Sequence, residues 1–384
     1  MKPSDPQFWV RWLCQQALPL WRDTGFDPQS NSFIEQLGLD GSAQRDVPRR
    51  LMVQARQIHV YATAARNGWD THGTELAVRA GESMISHYAL SDGVGGWAFS
   101  CAQAGAVVDQ RRDLYAHAFV LLALADLIQL TSQRRYIEIA QKTLAFLDRE
   151  MAHPSGGFVE QWPKAQLPRR QNPHMHLLEA FLALQATGLC GDLTPRIAEI
   201  VFLFSNHFFS EDGVLSEYFD KKWAPKNKMK IFEPGHHFEW AWLLNQFSRI
   251  AKVDMAPQIN RLLKGACGGV DSKGRIVDKM SPKAPQLASC RLWGAMEATR
   301  ALNFPHESSG PQITSAEVWQ VAWETFIAPA YRGGWIDHVD TFGNRIVGHI
   351  PASSLYHIVT ALDAVRSPKG FNELQQPRSG QTTP

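Results

Sequence analysis

Gly157-Phe158-Val159-Glu160 is the stretch on which the fold turns, because it returns. Gly-aromatic or Gly-aliphatic pairs stand at Gly96-Trp97, Gly157-Phe158, Gly213-Val214, Gly274-Arg275 and Gly334-Trp335, in steps of 61, 56, 61 and 60 residues. Ser32-Phe33-Ile34-Glu35 repeats the stretch once more, 64 residues before Gly96. About 20 to 27 residues after each marker, an otherwise apolar segment carries polar groups: Arg56 and His59, His117, His176 and Glu179, His236 and Glu239, Glu297, and His357. A unit of this length cannot bury its own apolar face and must stack on its neighbours. Six units with polar residues in phase predict one ring with its chemistry gathered at one end.

Around the markers the periodicity is helical. Apolar residues recur at helical spacing from Leu51 to Ala64, Leu114 to Leu130, Tyr136 to Leu147, Leu177 to Ala186, Ile197 to Phe209, Trp240 to Ile250, Leu292 to Leu302 and Val318 to Phe326. Strand-like alternation is confined to the markers, which read as short hairpins feeding a helix pair. The first helix of each pair is rich in small and apolar residues, as in His117 to Ala125, and reads as an inner helix covered on all sides. The second, as in Arg134 to Glu150, is amphipathic and reads as an outer one. An open array needs polar terminal caps, yet Phe8, Trp9, Trp12 and Leu13 are as apolar as the rest, so closure is expected. The expected fold is all-α: a double ring of six inner and six outer helices spanning 1–366, with short hairpins at the mouth. Residues 367–384, rich in Pro, Gln, Ser and Thr, read as a frayed tail.

Bulk properties remove several function classes. A net charge of +2 on 384 residues gives no electrostatic case for nucleic acid or an anionic membrane. No apolar run approaches the ~20 residues of a bilayer span, and no signal peptide is visible, so a cytoplasmic location is expected. The five cysteines are odd in number, widely spaced and without a C-x-x-C, which suits buried free thiols in a reducing compartment. Thirteen tryptophans and fourteen histidines suit a sugar cleft, since sugar rings offer apolar faces and hydroxyls; core packing also accounts for most of the tryptophans.

The sharpest constellation is Pro234-Gly235-His236-His237-Phe238-Glu239, where a chain break leads into a helix with His236 and Glu239 on one face. The positive end of the helix dipole should lower the pKa of His236, and Glu239 should orient it. His237 points elsewhere and reads as packing. Pro351-Ala352-Ser353-Ser354-Leu355-Tyr356-His357 has the same layout, so His236 and His357 are expected to face each other across the ring. Asn172-Pro173-His174-Met175-His176 opens a third such helix, with Glu179 on the face of His176. Arg56, costly on an apolar helix unless paired, is placed to meet an anionic species. Trp97, Tyr115, Trp293, Glu297 and Trp335 complete the expected lining. Two basic loops, Trp162–Pro173 and Lys221–Pro234, should border the mouth as solvated segments or as anion contacts, Arg169 and Arg170 among them. A metal is not expected: H-E-x-x-H is absent, the candidate ligands are dispersed, and an arginine accompanies them. No G-x-G-x-x-G, P-loop or serine-hydrolase elbow is present, so no cofactor is expected.

At Arg56-Gln57, Arg170-Gln171-Asn172-Pro173-His174-Met175-His176, Pro234-Gly235-His236 with Glu239, and Tyr356-His357, the chain resembles the N-acylglucosamine 2-epimerase family over nearly its whole length. The resemblance implies an (α/α)6 barrel and metal-free proton transfer between two histidines and an open-chain sugar. The pair would be His236 and His357, helped by Arg56, His176 and Glu239. His-x-Phe-Glu-Trp-Ala-Trp-Leu-Leu is most similar to the aldose–ketose isomerases of the family. That implies interconversion of D-mannose and D-fructose through a cis-enediolate, with His357 as the C2 base and His236 opening the ring, or with the two roles exchanged. Three alternatives stay open: a 2-epimerase of mannose or an N-acyl sugar, a glycoside hydrolase on the same fold, and a sugar-binding protein. The expected partner is a monosaccharide, with the protein a monomer or homodimer.

Overall fold

The computed structural model describes residues 1–226, 230–281, 289–304 and 313–366. The tail expected at 367–384 and part of the Lys221–Pro234 loop lie outside them. In chain order the helices are α1 (Pro6–Trp12), α2 (Leu18–Leu20), α3 (Leu51–Asn67), α4 (Gly73–Tyr88), α5 (Leu114–Thr131), α6 (Arg134–Phe146), α7 (Gln171–Thr187), α8 (Thr194–Leu203), α9 (Pro234–Ala251), α10 (Ala256–Cys267), α11 (Leu292–Ala301), α12 (Ser315–Ala322) and α13 (Leu355–Arg366). The odd-numbered helices from α3 to α13 form the inner layer, each packed on the next, and α13 packs back on α3. The even-numbered helices from α4 to α12 lie outside. The sixth pair is split across the chain: inner α13 comes last, and the outer position beside it is filled by α1.

Hydrophobic burial closes both layers. In the outer one, Trp9 meets Trp319 and Trp323 with ring centroids 4.9 and 5.4 Å apart, and Phe8 lies edge-on to Trp323 at 4.7 Å. The apolar first unit is therefore covered by the last. In the inner layer, Gln57 Nε2 donates to the Ala352 carbonyl (2.7 Å) and Asn67 Nδ2 to Asp363 Oδ1 (2.7 Å). The strand Gln36–Gly38 pairs antiparallel with His349–Pro351. α5 is long and apolar enough to cross a membrane, but its surface is covered by the inner and outer rings.

Inner helices α7 and α9 begin earlier than their apolar periodicity suggests. Pro173 and Pro234 both lie in the first turn, where a missing N–H costs nothing. Each marker forms a hairpin against the end of an outer helix, as in the bridges Ala89–Trp97, Ala152–Phe158, Phe209–Leu215 and Val270–Ile276. In the fourth and fifth units the residue in register is thus Leu215 or Ile276, one later than Val214 or Arg275. In the first four units the hairpin is pinned by the fourth residue of the following inner helix. His117 Nε2 accepts from the Trp97 N–H (3.2 Å), His174 Nε2 from Phe158 (3.0 Å) and His237 Nε2 from Leu215 (3.3 Å). Each Nδ1–H points at the carbonyl four residues back. Gln54 does the same work in the first unit, accepting from the Phe33 N–H (2.9 Å) and donating to its carbonyl (2.7 Å). His117, in phase with the polar set, is therefore a clamp between hairpin and helix. Burial holds the three clamp histidines neutral, with pKa values lowered to about 4, 3 and 4.

Candidate active site

The sixth residue of each inner helix makes the ring, counting α13 from the tight turn at Ala352: Arg56, Phe119, His176, Glu239, Glu297 and His357. Neighbours touch in sequence. The Arg56 guanidinium lies 4.2 Å from the Phe119 ring centre, and Phe119 and His176 have centroids 4.5 Å apart. His176 Nε2 is 3.7 Å from Glu239 Oε1, and His357 Nδ1 donates to Glu297 Oε1 at 2.6 Å. Arg56 donates to the Tyr115 hydroxyl (2.6 Å) and the Ser353 carbonyl (3.3 Å), and lies over Tyr356.

One turn nearer the mouth, the indole of Trp293 lies between the two expected catalytic histidines. Its ring is 5.1 Å from that of His236 and 5.8 Å from that of His357. Gly235 makes room for it, since a Cβ there would meet the indole at 2.4 Å. Tyr115 and Asn172 share this level; Asn172 Oδ1 is buried without a partner among the described residues. Beside them opens a cleft of about 440 Å³ lined by Arg50, Arg111, Glu160 and Arg170 among others. Each guanidinium there has a carboxylate: Arg50 Nε donates to Glu35 (2.6 Å), Arg170 Nε to Glu160 (2.6 Å), and Arg111 faces Asp109 (3.4 Å). Arg169, expected at the mouth, is buried instead, with its guanidinium 3.4 Å from the Trp223 ring centre.

The histidines differ in partner and in charge. His236 Nδ1 donates to Glu217 at 3.0 Å, with Glu233 at 3.7 Å. Burial would lower its pKa, but the two carboxylates outweigh burial and raise it to about 10. The expected steering by Glu239 is thus replaced by Glu217, and the expected lowering by the helix dipole is overridden. Burial lowers the pKa of His357; Glu297 opposes this and Arg56 reinforces it. His176, whose Nδ1 faces Glu179 Oε2 at 3.3 Å, is lowered by burial to about 4. Glu239 is raised well above the carboxylate range by burial and by the charges of Glu297 and Glu179, and its carboxyl group faces the ring. His176, Glu179 and Glu239 bring potential ligand atoms within 4.8 Å of one another. Glu179 is already engaged, by Arg300 through Oε1 (3.1 Å) and by His176 and the Tyr356 hydroxyl through Oε2.

The structure brings Arg56, Tyr115, Asn172, His176, Glu179, His236, Glu239, Trp293, Glu297 and His357 to one end of the ring. It leaves Trp97 and Trp335 out. Trp97 is buried and donates to Thr143 Oγ1 (3.0 Å) on an outer helix, while Trp335 is buried and stacks on Trp21 with centroids 5.8 Å apart. Both are hairpin residues whose indoles fill the outer layer. Glu217 and Arg300 are the residues that sequence reasoning missed. Glu217 had a signal, since Glu35, Glu160, Glu217, Asp278 and Asp337 all stand two residues after their hairpin's register residue.

A double ring of helices with histidine–carboxylate pairs at one end is an (α/α)6 barrel, and proteins similar to it in sequence are named as sugar isomerases and epimerases. The chain belongs to the N-acylglucosamine 2-epimerase (GlcNAc 2-epimerase) family, whose description matches residues 32–361. It is 34% identical over 371 residues to a mannose-6-phosphate isomerase of Rhizobium meliloti (strain 1021), covering 91% of this chain and 94% of that one. It is 31% identical to a D-mannose isomerase of Thermobifida fusca, over 64% of this chain and 66% of that one. Among solved structures, a D-mannose isomerase (TM-score 0.82, 19% identity, 95% and 98% of the two chains) shares the fold. So does the cellobiose 2-epimerase of Bacillus thermoamylovorans B4167 (TM-score 0.82, 17% identity, 94% and 98%).

Proposed function

We propose that this enzyme interconverts D-mannose and D-fructose by proton transfer between C2 and C1. The observation that carries the reading is the pair of histidines flanking one indole with opposite protonation: His357 neutral on Glu297, His236 cationic on Glu217. The pyranose stacks on Trp293. His236 gives the proton on Nε2 to the ring oxygen as the C1–O5 bond breaks, and takes in return the proton that the C1 hydroxyl releases, leaving the open-chain aldehyde. His357 takes the C2 proton through Nε2, and the electron pair moves into a C1–C2 double bond, leaving charge on O1 toward Arg56. The imidazolium of His357 then returns the proton to C1, and the O2 proton passes to O1 as the C2 carbonyl forms. Glu239 and His176 hold hydroxyls at the ring level. A neutral sugar suits the mouth, where every guanidinium is already balanced by a carboxylate.

The second reading is the 6-phosphate of the same hexose. It is favoured by Arg50, Arg111 and Arg170 sharing one cleft and by the name of the Rhizobium relative. NMR of the purified protein in D₂O with D-mannose, D-mannose 6-phosphate, N-acetylglucosamine and cellobiose separates the cases. The expected result is D-fructose with exchange at the reacting carbon and a kcat/KM at least tenfold above that for the phosphate. An epimer as the sole product, or binding without exchange at C2, would overturn the proposal. His357→Asn should lower kcat by about 10²–10⁴-fold with KM little changed.

A further inference from the structure

One buried cation in the ring has no part in the proton transfers above. Arg300 stands one turn below Glu297 on α11, 4% exposed. Its Nη1 faces Glu297 Oε2 at 3.4 Å and its Nη2 donates to Glu179 Oε1 at 3.1 Å. The other oxygen of each carboxylate faces a histidine: Glu297 Oε1 takes the Nδ1–H of His357, and Glu179 Oε2 that of His176. We propose that Arg300 is a positioning residue whose single guanidinium fork ties the two histidine–carboxylate pairs together, keeping both carboxylates ionised and both imidazoles neutral with Nε2 free toward the sugar.

The argument is one of charge in a dry place. Glu179 and Glu297 are 2% and 0% exposed, and an unpaired carboxylate at such depth would take up a proton or draw one onto its imidazole. Burial would raise both carboxyl pKa values; the histidine hydrogen bonds and Arg300 hold them down. The Arg300 charge is itself held by these carboxylates and lies 5.0 Å from the Trp242 ring centre. The charged groups acting on His357 are Glu297 from α11, Arg56 from α3 and Glu179 from α7, with His176 of α7 interacting with it; Arg300 acts through Glu297, the Tyr356 ring packs beside it, and Glu239 from α9 neighbours the same carboxylates. Among the described residues, only Arg300 is bonded to both carboxylates. A lysine offers a point charge there, not a fork.

The inference rests on the proposed role of His357 as base, and two readouts keep the two apart. Turnover of D-mannose by the wild-type protein tests the role. The titration of His357 in ¹H–¹⁵N spectra tests Arg300 without any substrate. In Arg300→Met the Glu297 charge is uncompensated, the imidazolium is favoured, and the His357 titration and the acid limb of kcat/KM move up by one pH unit or more. The expected fall in kcat is at least 30-fold, with KM changed less than threefold. Glu179→Gln should move the same limb down, because Arg300 then serves Glu297 alone. Arg300→Lys should keep the limb within about 0.3 pH units of wild type and recover at least tenfold of the lost kcat. If Arg300→Met does not fold, the Lys and Gln variants still decide the matter. A limb that stays put in Glu179→Gln, or moves up by one pH unit or more in Arg300→Lys, overturns the proposal.

Discussion

His236 and His357 begin as identical imidazoles and end with opposite charge. The difference comes from the count and placement of carboxylates: Glu217 and Glu233 around His236, and for His357 a single Glu297 whose charge Arg300 shares. The pH profile follows from the signs. The base is active only when neutral, so activity falls on the acid side below the ordinary histidine value of 6.5, because His357 is shifted down. The acid is active only when protonated, so activity falls on the alkaline side toward about 10. A broad bell in kcat/KM between these limbs is expected, and an alkaline limb near 7 would be inconsistent with a Glu217-held imidazolium. Glu217→Gln should bring that limb down by at least one pH unit and lower kcat by about 10²-fold. The two histidines were legible because each opens a helix in repeat phase. Their partners were only half legible. Helical spacing fixes which residues share a face, and Glu239 shares the face of His236, but the partner comes from the hairpin that precedes the helix in the same unit. The dipole, about half a charge, pointed to a lowered pKa and loses to two whole charges nearby.

The inner helix is an element with separate duties at its fourth and sixth residues. In the first four units the fourth clamps the hairpin, and in all six the sixth enters the ring. Two positions apart means roughly 200° around the axis, a distinction too fine for a marker spacing that itself drifts by a residue at Leu215 and Ile276. That drift is why His117 read as part of the polar ring while His174 beside His176 did not stand out as its counterpart. Removing a clamp leaves a buried N–H without a partner, which costs about 1–3 kcal/mol. His174→Ala should lower stability by that amount in urea unfolding, and His174→Gln by clearly less, because Gln54 already performs this task in the first unit. Equal losses would show that ring packing, not the hydrogen bond, is what His174 supplies. At the start of α9 the constraint is steric. Gly235→Ala puts a methyl into Trp293, so the indole must move from between the histidines. KM for mannose should rise at least fivefold with thermal stability changed little, and an unchanged KM would mean that Trp293 does not carry the sugar.

Closure makes the site a property of the whole ring. Arg56 belongs to the first inner helix and Ser353 and His357 to the last, yet Arg56 rests on the Ser353 carbonyl. The helical double ring could be read from the sixfold marker, and closure from the apolar first unit, whose tryptophans now lie on α12. What the repeat could not reveal was the seam, since the contacts that join first unit to last have no sequence period. Two of them test whether closure serves stability alone or geometry as well. Gln57, wholly buried, donates to Ala352 at the mouth end, in the turn that leads to His357. Asn67 bonds Asp363 near the far end of the same two helices. Gln57→Leu and Asn67→Ala each remove one seam hydrogen bond, and each should lower stability by about 1–3 kcal/mol. If the seam sets the distance between Arg56 and His357, only Gln57→Leu should also lower kcat, by about tenfold or more, because it frees the turn on which His357 is carried. A matched loss of kcat in both variants would mean that the ring acts as one rigid body, and that its mouth senses any weakening of the seam.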